Sequence, residues 1–451
     1  MTSRIHPTLP IFRLDDGDRV VLYTPGQPVT TTQSTACEVE GLLAGRGGGR
    51  ARARALASQL EQRGTDARNA WHGFADGRFE PVCLTLYLSN RCTLACTYCY
   101  AMPADEARAR DRSRARPGES AAPQYPILAE DVIAAAGRLV ASNCAAAGKP
   151  LTLVVHGGGE PTMHWDLLAR VRQACAEIAA GLGIGFWSYI ATHGVLPDDR
   201  AHWLARHFDL IGLSCDGPPD IQDANRPSAA HASTAARVER TAQVLHAAGA
   251  DYAVRCTVTP AAASRQVEIV TYLCDRLFAR KIRLEPAYDG RRAAGRHFTP
   301  DDAEMFVSHF LEAYEAAKRR GCDLELSGVR IGEIHGPFCN PSRDVLQLTP
   351  DGTASACFLS VGNNRDEDAP LVMGTLDPVS GQFLIDRGRV AAQRRHAALV
   401  PSRCESCHNI YHCARDCPDV CLLTGGDTSG DGGFRCRVQK LVGRYLILES
   451  R

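Results

Sequence analysis

The chain has 451 residues, which suggests two or three domains rather than one core. Apolar residues make up 45% and charged residues 23%, the balance of an ordinary globular protein, and 51 Lys+Arg against 51 Asp+Glu leaves no formal net charge. That neutrality excludes a global field drawing the chain to nucleic acid or an anionic membrane, and no stretch offers the roughly 18 consecutive apolar residues of a membrane span.

Residues 1–80 form a first section. RVVLYTP reads as a strand, the Gly47-Gly48-Gly49 run breaks the pattern, and ARARALASQLEQRG reads as an exposed amphipathic helix. The section is expected to cap the neighbouring barrel or to bind a leader peptide by an added strand. From 81 to about 300, short apolar strands alternate with helices. Strands are expected at 84–88, 151–156, 186–191, 210–214, 252–258 and 282–285, with helices at 130–144, 167–180, 235–248 and 266–280. Six strand–helix repeats predict an α/β fold: a partial (β/α)6 TIM-like barrel whose function sits at the carboxyl ends of its strands. An insertion at 108–123 carries five arginines and reads as a solvated loop, or else as a lid or a contact for an acidic peptide. Residues 301–451 open with a helix at 302–319 and continue into a small Cys-rich region.

There are 19 cysteines, an odd number, and MTSRIHPTLPIF lacks a long apolar leader. A cytoplasmic location is expected, where thiols stay reduced and clustered cysteines read as metal ligands. Directly after the strand LTLYL stands SNRCTLACTYCYA, placing Cys92, Cys96 and Cys99 in one tight loop. Three thiolates from one loop can hold three corners of an iron–sulfur cubane and leave the fourth iron open to a small molecule. A zinc site is the plainer alternative, but zinc usually takes two Cys pairs at domain distance.

This triplet, with aromatic Tyr98 before its third Cys, resembles the signature of radical S-adenosylmethionine (SAM) enzymes. HGGGEP after the second strand is similar to the Gly-Gly-Glu element of that superfamily, whose backbone meets the SAM amino group; it maps to Gly158, Gly159 and Glu160. ATHG resembles a Thr-Asn-Gly segment with His193 in place of Asn. LSCDGPPDIQDANRP resembles the Ser-x-Asp-Gly-Pro…Asp…Arg stretch of one subgroup. The resemblance implies that Ser214 lies near the SAM ribose or carboxylate, Asp216 in the cavity floor, and Arg255 beside the SAM carboxylate. The plainer readings are a turn cap for Asp216 and a structural ion pair for Arg255. The implied cofactors are SAM and a 4Fe-4S cluster that donates one electron to split the sulfonium, giving a 5′-deoxyadenosyl radical that abstracts hydrogen.

Cys339, Cys357, Cys404, Cys407, Cys413, Cys417 and Cys436 form a second array, with Gly352 five residues before Cys357. It resembles the SPASM extension, which carries two auxiliary 4Fe-4S clusters. The resemblance implies Cys339, Cys357 and Cys417 on one cluster and Cys404, Cys407, Cys413 and Cys436 on the other. With no Cys between 339 and 357, the first cluster is expected to have an open or unusual fourth site, filled by water, His335, Cys421 or a substrate thiolate. A zinc knuckle using His408 and His412 is the alternative. The remaining cysteines (37, 83, 144, 175, 215, 256, 274 and 322) read as small buried apolar residues, and the loop at 425–433 as a turn.

Enzymes of this kind mostly act on peptides or proteins. The resemblance therefore implies an oxidoreductase that matures a ribosomally made peptide by a thioether or carbon–carbon crosslink, with a donor such as flavodoxin or ferredoxin. Formylglycine formation on a sulfatase and small-molecule dehydrogenation are the alternatives. Sulfatase maturases carry an Asp base directly after the Cys of the Gly-x4-Cys element, where this chain has Phe358.

Overall fold

The computed structural model describes residues 2–99, 126–287, 297–334, 343–358, 371–413 and 433–450. Cys339, Cys417, Cys421, His335, the arginine-rich 108–123 stretch and residues 425–432 lie outside the described residues.

The amino-terminal section is a four-stranded antiparallel sheet of β1 (Thr2–Arg4), β2 (Phe12–Asp16), β3 (Arg19–Thr24) and β4 (Gln27–Thr32), followed by α1 (Gln33–Leu43) and α2 (Ala51–Asp76). Helix α2 runs beyond the expected 51–64 because its apolar face continues through Ala67 and Trp71, both buried.

Six strands then build the expected parallel unit: β5 (Cys83–Leu86), β6 (Leu151–Val155), β7 (Phe186–Thr192), β8 (Leu210–Ser214), β9 (Tyr252–Val258) and β10 (Lys281–Pro286). Between them come α3 (Glu130–Ala147), α4 (Trp165–Gly181), α5 (Asp198–His207), α6 (Pro219–Asn225), α7 (Ala235–Ala247) and α8 (Gln266–Arg276). Alternation sorts the faces. Along β9, Tyr252, Val254, Cys256 and Val258 are buried in the core, whereas Arg255 and Thr257 are half-buried on the opposite, lumen-facing side.

Beyond residue 300 the chain packs helix α9 (Ala303–Arg319) and returns to the same sheet. Strand β11 (Asp323–Glu325) pairs in parallel with β10, and β12 (Val345–Leu348) with β5. Strands β13 (Thr353–Ser355), β14 (Val372–Leu376) and β15 (Phe383–Ile385) extend it antiparallel to eleven strands, and α10 (Arg387–Ala398) and α11 (Gly433–Glu449) come after them.

Residues 1–80 are braced against the carboxyl-terminal region. Phe12, Leu14, Val21, Tyr23, Ala67 and Trp71 share one buried cluster with Ile410, Tyr411 and Ile447. Trp71 stacks on Tyr411 with centroids 5.1 Å apart, and its indole N–H donates to the Ala398 carbonyl at 2.8 Å. Of the scattered cysteines, 144, 175, 215, 256 and 322 are buried as expected, but Cys37 is exposed on α1. It lies on the polar side of that helix, where only Ala36, Val39 and Leu43 face inward.

Trp71→Ala removes a large buried ring from this junction and should cost about 3–5 kcal/mol. Thermal unfolding of anaerobically purified protein should show a lowered Tm, with residues 394–413 becoming protease-sensitive first.

Candidate functional site

The loop bearing Cys92, Cys96 and Cys99 leaves the sheet just past β5, at the carboxyl edge where a parallel sheet places its functional groups. Leu94 is its one buried aliphatic side chain, and hydrogen bonds to neighbouring segments fix the rest of its shape. The amides of Ala95 and Thr97 donate to the carbonyls of Pro227 (2.9 Å) and Asn225 (3.0 Å), and Ala229 N donates to Thr93 O at 2.8 Å. On the other side, Glu160 N donates to Arg91 O at 2.7 Å.

Gly159 makes this approach possible. Its φ is +73°, and an added Cβ would stand 2.2 Å from the Ser89 carbonyl oxygen and 2.7 Å from that of Arg91. Gly158 is buried beside it. The Glu160 side chain is spent inside the protein. Its Oε1 accepts from Thr162 Oγ1 (2.7 Å), Thr162 N (3.2 Å) and Thr192 Oγ1 (2.8 Å), and its Oε2 from His193 N (2.8 Å). Glu160 thereby locks the second strand end to the third. His193, the departure from Thr-Asn-Gly, does parallel work. Val195 N donates to its Nδ1 at 3.0 Å, so the ring proton is on Nε2, which donates to Thr93 Oγ1 within the cysteine loop at 3.0 Å. Burial lowers the His193 pKa despite nearby Glu160, so the 3.5 Å approach to that carboxylate is not an ion pair.

Asp216 is fully buried. Its Oδ1 accepts from Arg226 Nε and Thr257 N, both at 3.0 Å, and its Oδ2 accepts the Tyr98 hydroxyl proton at 2.5 Å. The sequence assigned Asp216 to the cavity floor. Its carboxylate reaches the cysteine loop through Tyr98, and Arg226, within the NRP of the quoted stretch, is its counter-ion. Ser214 ends β8 in register with Arg255 on the lumen-facing side.

Arg255 Nη1 lies 2.9 Å from His156 Nε2. Burial first, then the positive charge of Arg255, pushes the His156 pKa well below its usual 6.5, so the ring is neutral and accepts this hydrogen bond. One guanidinium donor of Arg255 is thus committed across the lumen to β6. Phe358 closes over the pair, its ring 5.3 Å from His156 and 5.7 Å from Tyr87. Glu285, near the end of β10, accepts from Ser327 N at 2.5 Å, and burial raises its pKa above the ordinary carboxylate value. Neither His156 nor Glu285 was singled out from sequence; a polar residue at the carboxyl end of a parallel strand is the signal that marks both.

The donor set fits an iron–sulfur cluster. Burial pushes the Cys92 thiol up to about 12 and the Cys96 thiol to about 11, and the neighbouring loop thiols add to both shifts. Thiolates crowded in this way need a cationic centre to hold them ionised. Cys144, the next cysteine in sequence, is buried on α3 and donates to Val82 O at 3.3 Å, away from the loop.

In the carboxyl-terminal array, Cys404 and Cys436 both raise the pKa of Cys407, which burial pushes to about 11. Cys413 Sγ lies 2.5 Å from Gln439 Oε1, one helical turn beyond Cys436 on α11. Cys357 is buried after β13. The histidines of the zinc-knuckle alternative are occupied elsewhere. His408 Nε2 lies 3.1 Å from Lys440 O. Asn409 Nδ2 donates to the Gln439 carbonyl, so Asn409 Oδ1 accepts from His412 Nε2 (2.8 Å) and the Tyr23 hydroxyl donates to His412 Nδ1 (2.9 Å).

A parallel-sheet α/β unit with a three-thiol loop at its carboxyl edge and a Gly-Gly-Glu turn beside it defines a radical SAM domain. Residues 86–262 match the Radical SAM superfamily, so the parallel-sheet unit is a radical SAM domain, of a kind that uses SAM and a 4Fe-4S cluster. The chain is 23% identical over 232 residues to a cysteine-type anaerobic sulfatase-maturating enzyme of Clostridium perfringens, a match that covers 50% of this chain. The match spans 57% of that relative's length. In three dimensions the chain is similar to a structure described as native anSMEcpe with bound AdoMet, with TM-score 0.60, 17% identity, and coverage of 81% of this chain and 96% of that one. It is also similar to SuiB of Streptococcus suis, with TM-score 0.50, 13% identity, and coverage of 94% and 98%. Among the described residues no helix is long and apolar enough to cross a membrane.

This geometry predicts two outcomes. Glu160→Ala strands four buried donors and should cost on the order of 3 kcal/mol or more, read as a lowered Tm of the anaerobic protein. His156 is neutral in the fold but protonated when unfolded at acid pH. Its contribution to stability is therefore complete above about pH 6.5 and lost as pH falls below that value. Tm should decline with acidification below pH 6.5, and less steeply in His156→Gln.

Proposed function

We propose that this chain is a peptide-modifying radical SAM enzyme that crosslinks a ribosomally made peptide through a thioether or carbon–carbon bond. Cys92, Cys96 and Cys99 hold the SAM-binding cluster, with Gly158, Gly159, Ser214 and Arg255 around the SAM itself. When bound, the cluster and SAM supply one electron and a 5′-deoxyadenosyl radical that takes hydrogen from the substrate. The chain's own residues position the substrate, exclude water and accept the proton that a net oxidation releases.

The observation that carries this reading is the composition of the lumen mouth. An aromatic ring, Phe358, packs on His156 and Tyr87 at the position where sulfatase maturases carry an Asp base. Among the described residues Glu285, on the lumen-facing side of β10, is a carboxylate whose raised pKa suits it to hold a proton. Cys404, Cys407, Cys413 and Cys436 are proposed to hold one auxiliary cluster; Cys357, with Cys339 and Cys417, a second, its fourth site open. These clusters would carry electrons away from the oxidised substrate, with a flavodoxin- or ferredoxin-like partner as the electron donor to the SAM-site cluster. Formylglycine formation is the second reading. The name of the C. perfringens relative favours it, and a similar anSMEcpe structure is described with a bound Cp18Cys peptide.

Anaerobic incubation with SAM, reductant and a candidate peptide, and then mass spectrometry, separates the two readings. Crosslinking removes two hydrogens and keeps the peptide's sulfur, whereas oxidation of Cys to formylglycine loses it. A sulfatase-derived Cys peptide converted with loss of sulfur overturns the crosslinking proposal. Glu285→Gln should still release 5′-deoxyadenosine while forming at least about 10²-fold less product. Replacing Cys92, Cys96 and Cys99 together with Ala should abolish SAM cleavage and remove about four of about twelve irons.

A further inference from the structure

The proposed chemistry uses the cysteine loop but gives no role to a buried ion pair beneath it. Arg226 and Asp216 are 11% and 0% exposed, and their side chains meet at 3.0 Å. Burying two charges is costly, and one pair of apolar residues would fill the same space without that cost. The pair is also placed with respect to the loop. The Arg226 guanidinium carbon stands 5.4 Å from the centroid of the Tyr98 ring, and Tyr98 lies between Cys96 and Cys99. The Tyr98 hydroxyl is bound to Asp216 at 2.5 Å. Residues on either side of Arg226 clip the loop backbone, through Asn225 O to Thr97 N and Pro227 O to Ala95 N. Loop and ion pair therefore form one rigid unit. A group seated on Cys92, Cys96 and Cys99 has a fixed cation and a fixed anion beside it, bound to the Tyr98 that stands between Cys96 and Cys99.

We propose that Arg226 and Asp216 are positioning residues that set the reduction potential of the SAM-site cluster through their opposed buried charges. The inference rests on the assignment of Cys92, Cys96 and Cys99 to that cluster. Reduction adds one negative charge to the cluster. A nearby buried cation stabilises the reduced form and a nearby buried anion destabilises it, because the low-dielectric interior screens neither. The two residues bond to each other and are electrostatically opposite. A purely structural role cannot reproduce that sign difference.

The test is an EPR-monitored redox titration of the anaerobic holoenzyme, tracking the 4Fe-4S signal that changes on adding SAM. Arg226→Gln should shift the midpoint potential of that signal downward. Asp216→Asn, which leaves Arg226 uncompensated, should shift it upward. Arg226→Lys should restore most of the wild-type value, and Tyr98→Phe, which removes no charge, should stay near it. Iron content and SAM affinity of each variant are measured alongside. Shifts of the same sign in the two charge variants, or no shift with the cluster retained, overturn the proposal. Loss of the SAM-responsive signal from Arg226→Gln, Asp216→Asn and Arg226→Lys alike assigns the pair to folding and also overturns it. A wild-type protein with iron but no SAM-responsive signal sinks the ligand assignment itself, a failure distinguishable from all of these.

Discussion

Everything in the site depends on how a polar loop of three thiols is held still. The loop from Cys92 to Cys99 buries only Leu94 as an aliphatic anchor, and its thiols resist ionisation where they are buried. Three neighbouring segments supply its order. The turn at Gly159 receives the chain at Arg91, His193 donates to Thr93, and the 225–229 segment takes the backbone amides of Ala95 and Thr97. Glu160 joins the first two of these supports by accepting from Thr192 and His193, so a single buried carboxylate couples the second and third strand ends.

Behind the loop, the lumen is narrowed by a bond that crosses it. Arg255 on β9 reaches His156 at the end of β6, and the aromatic pair Tyr87 and Phe358 packs above. A neutral histidine is the right partner here. It accepts from the guanidinium without cancelling its charge, leaving a cationic group with further donors in a partly dry cavity. Glu285 brings the opposite character to the mouth of the same lumen. Its carboxyl is anchored by one backbone amide and easier to protonate than an exposed one.

The two ends of the chain meet away from the barrel. Tyr23 and Trp71 from residues 1–80 engage His412, Tyr411 and Ala398, and Arg444 reaches Thr2 Oγ1 at 3.0 Å and Asp15 O at 2.6 Å. His412 is fixed between Tyr23 and Asn409, whose amide also caps the Gln439 carbonyl beside Cys436. The amino-terminal sheet therefore buttresses the segment that carries Cys404, Cys407 and Cys413. The pairing of β12 with β5 and of β11 with β10 likewise welds the later chain to the barrel sheet instead of hanging it as a separate lobe.

What the sequence determined by itself was local: the three-thiol spacing after an apolar strand, the Gly-Gly-Glu turn, and the strand–helix alternation that orders β5 to β10. Each of these is a property of a few consecutive residues, where period and spacing act directly on geometry. Tertiary structure alone decided the rest. It turned Asp216 and Arg226 into a buried pair under Tyr98, joined His156 to Arg255 across 99 residues of chain, and placed Tyr23 on His412 across 389. Whether an aspartate caps its own turn or neutralises a distant arginine depends on which strands stand side by side, and only the assembled sheet decides that.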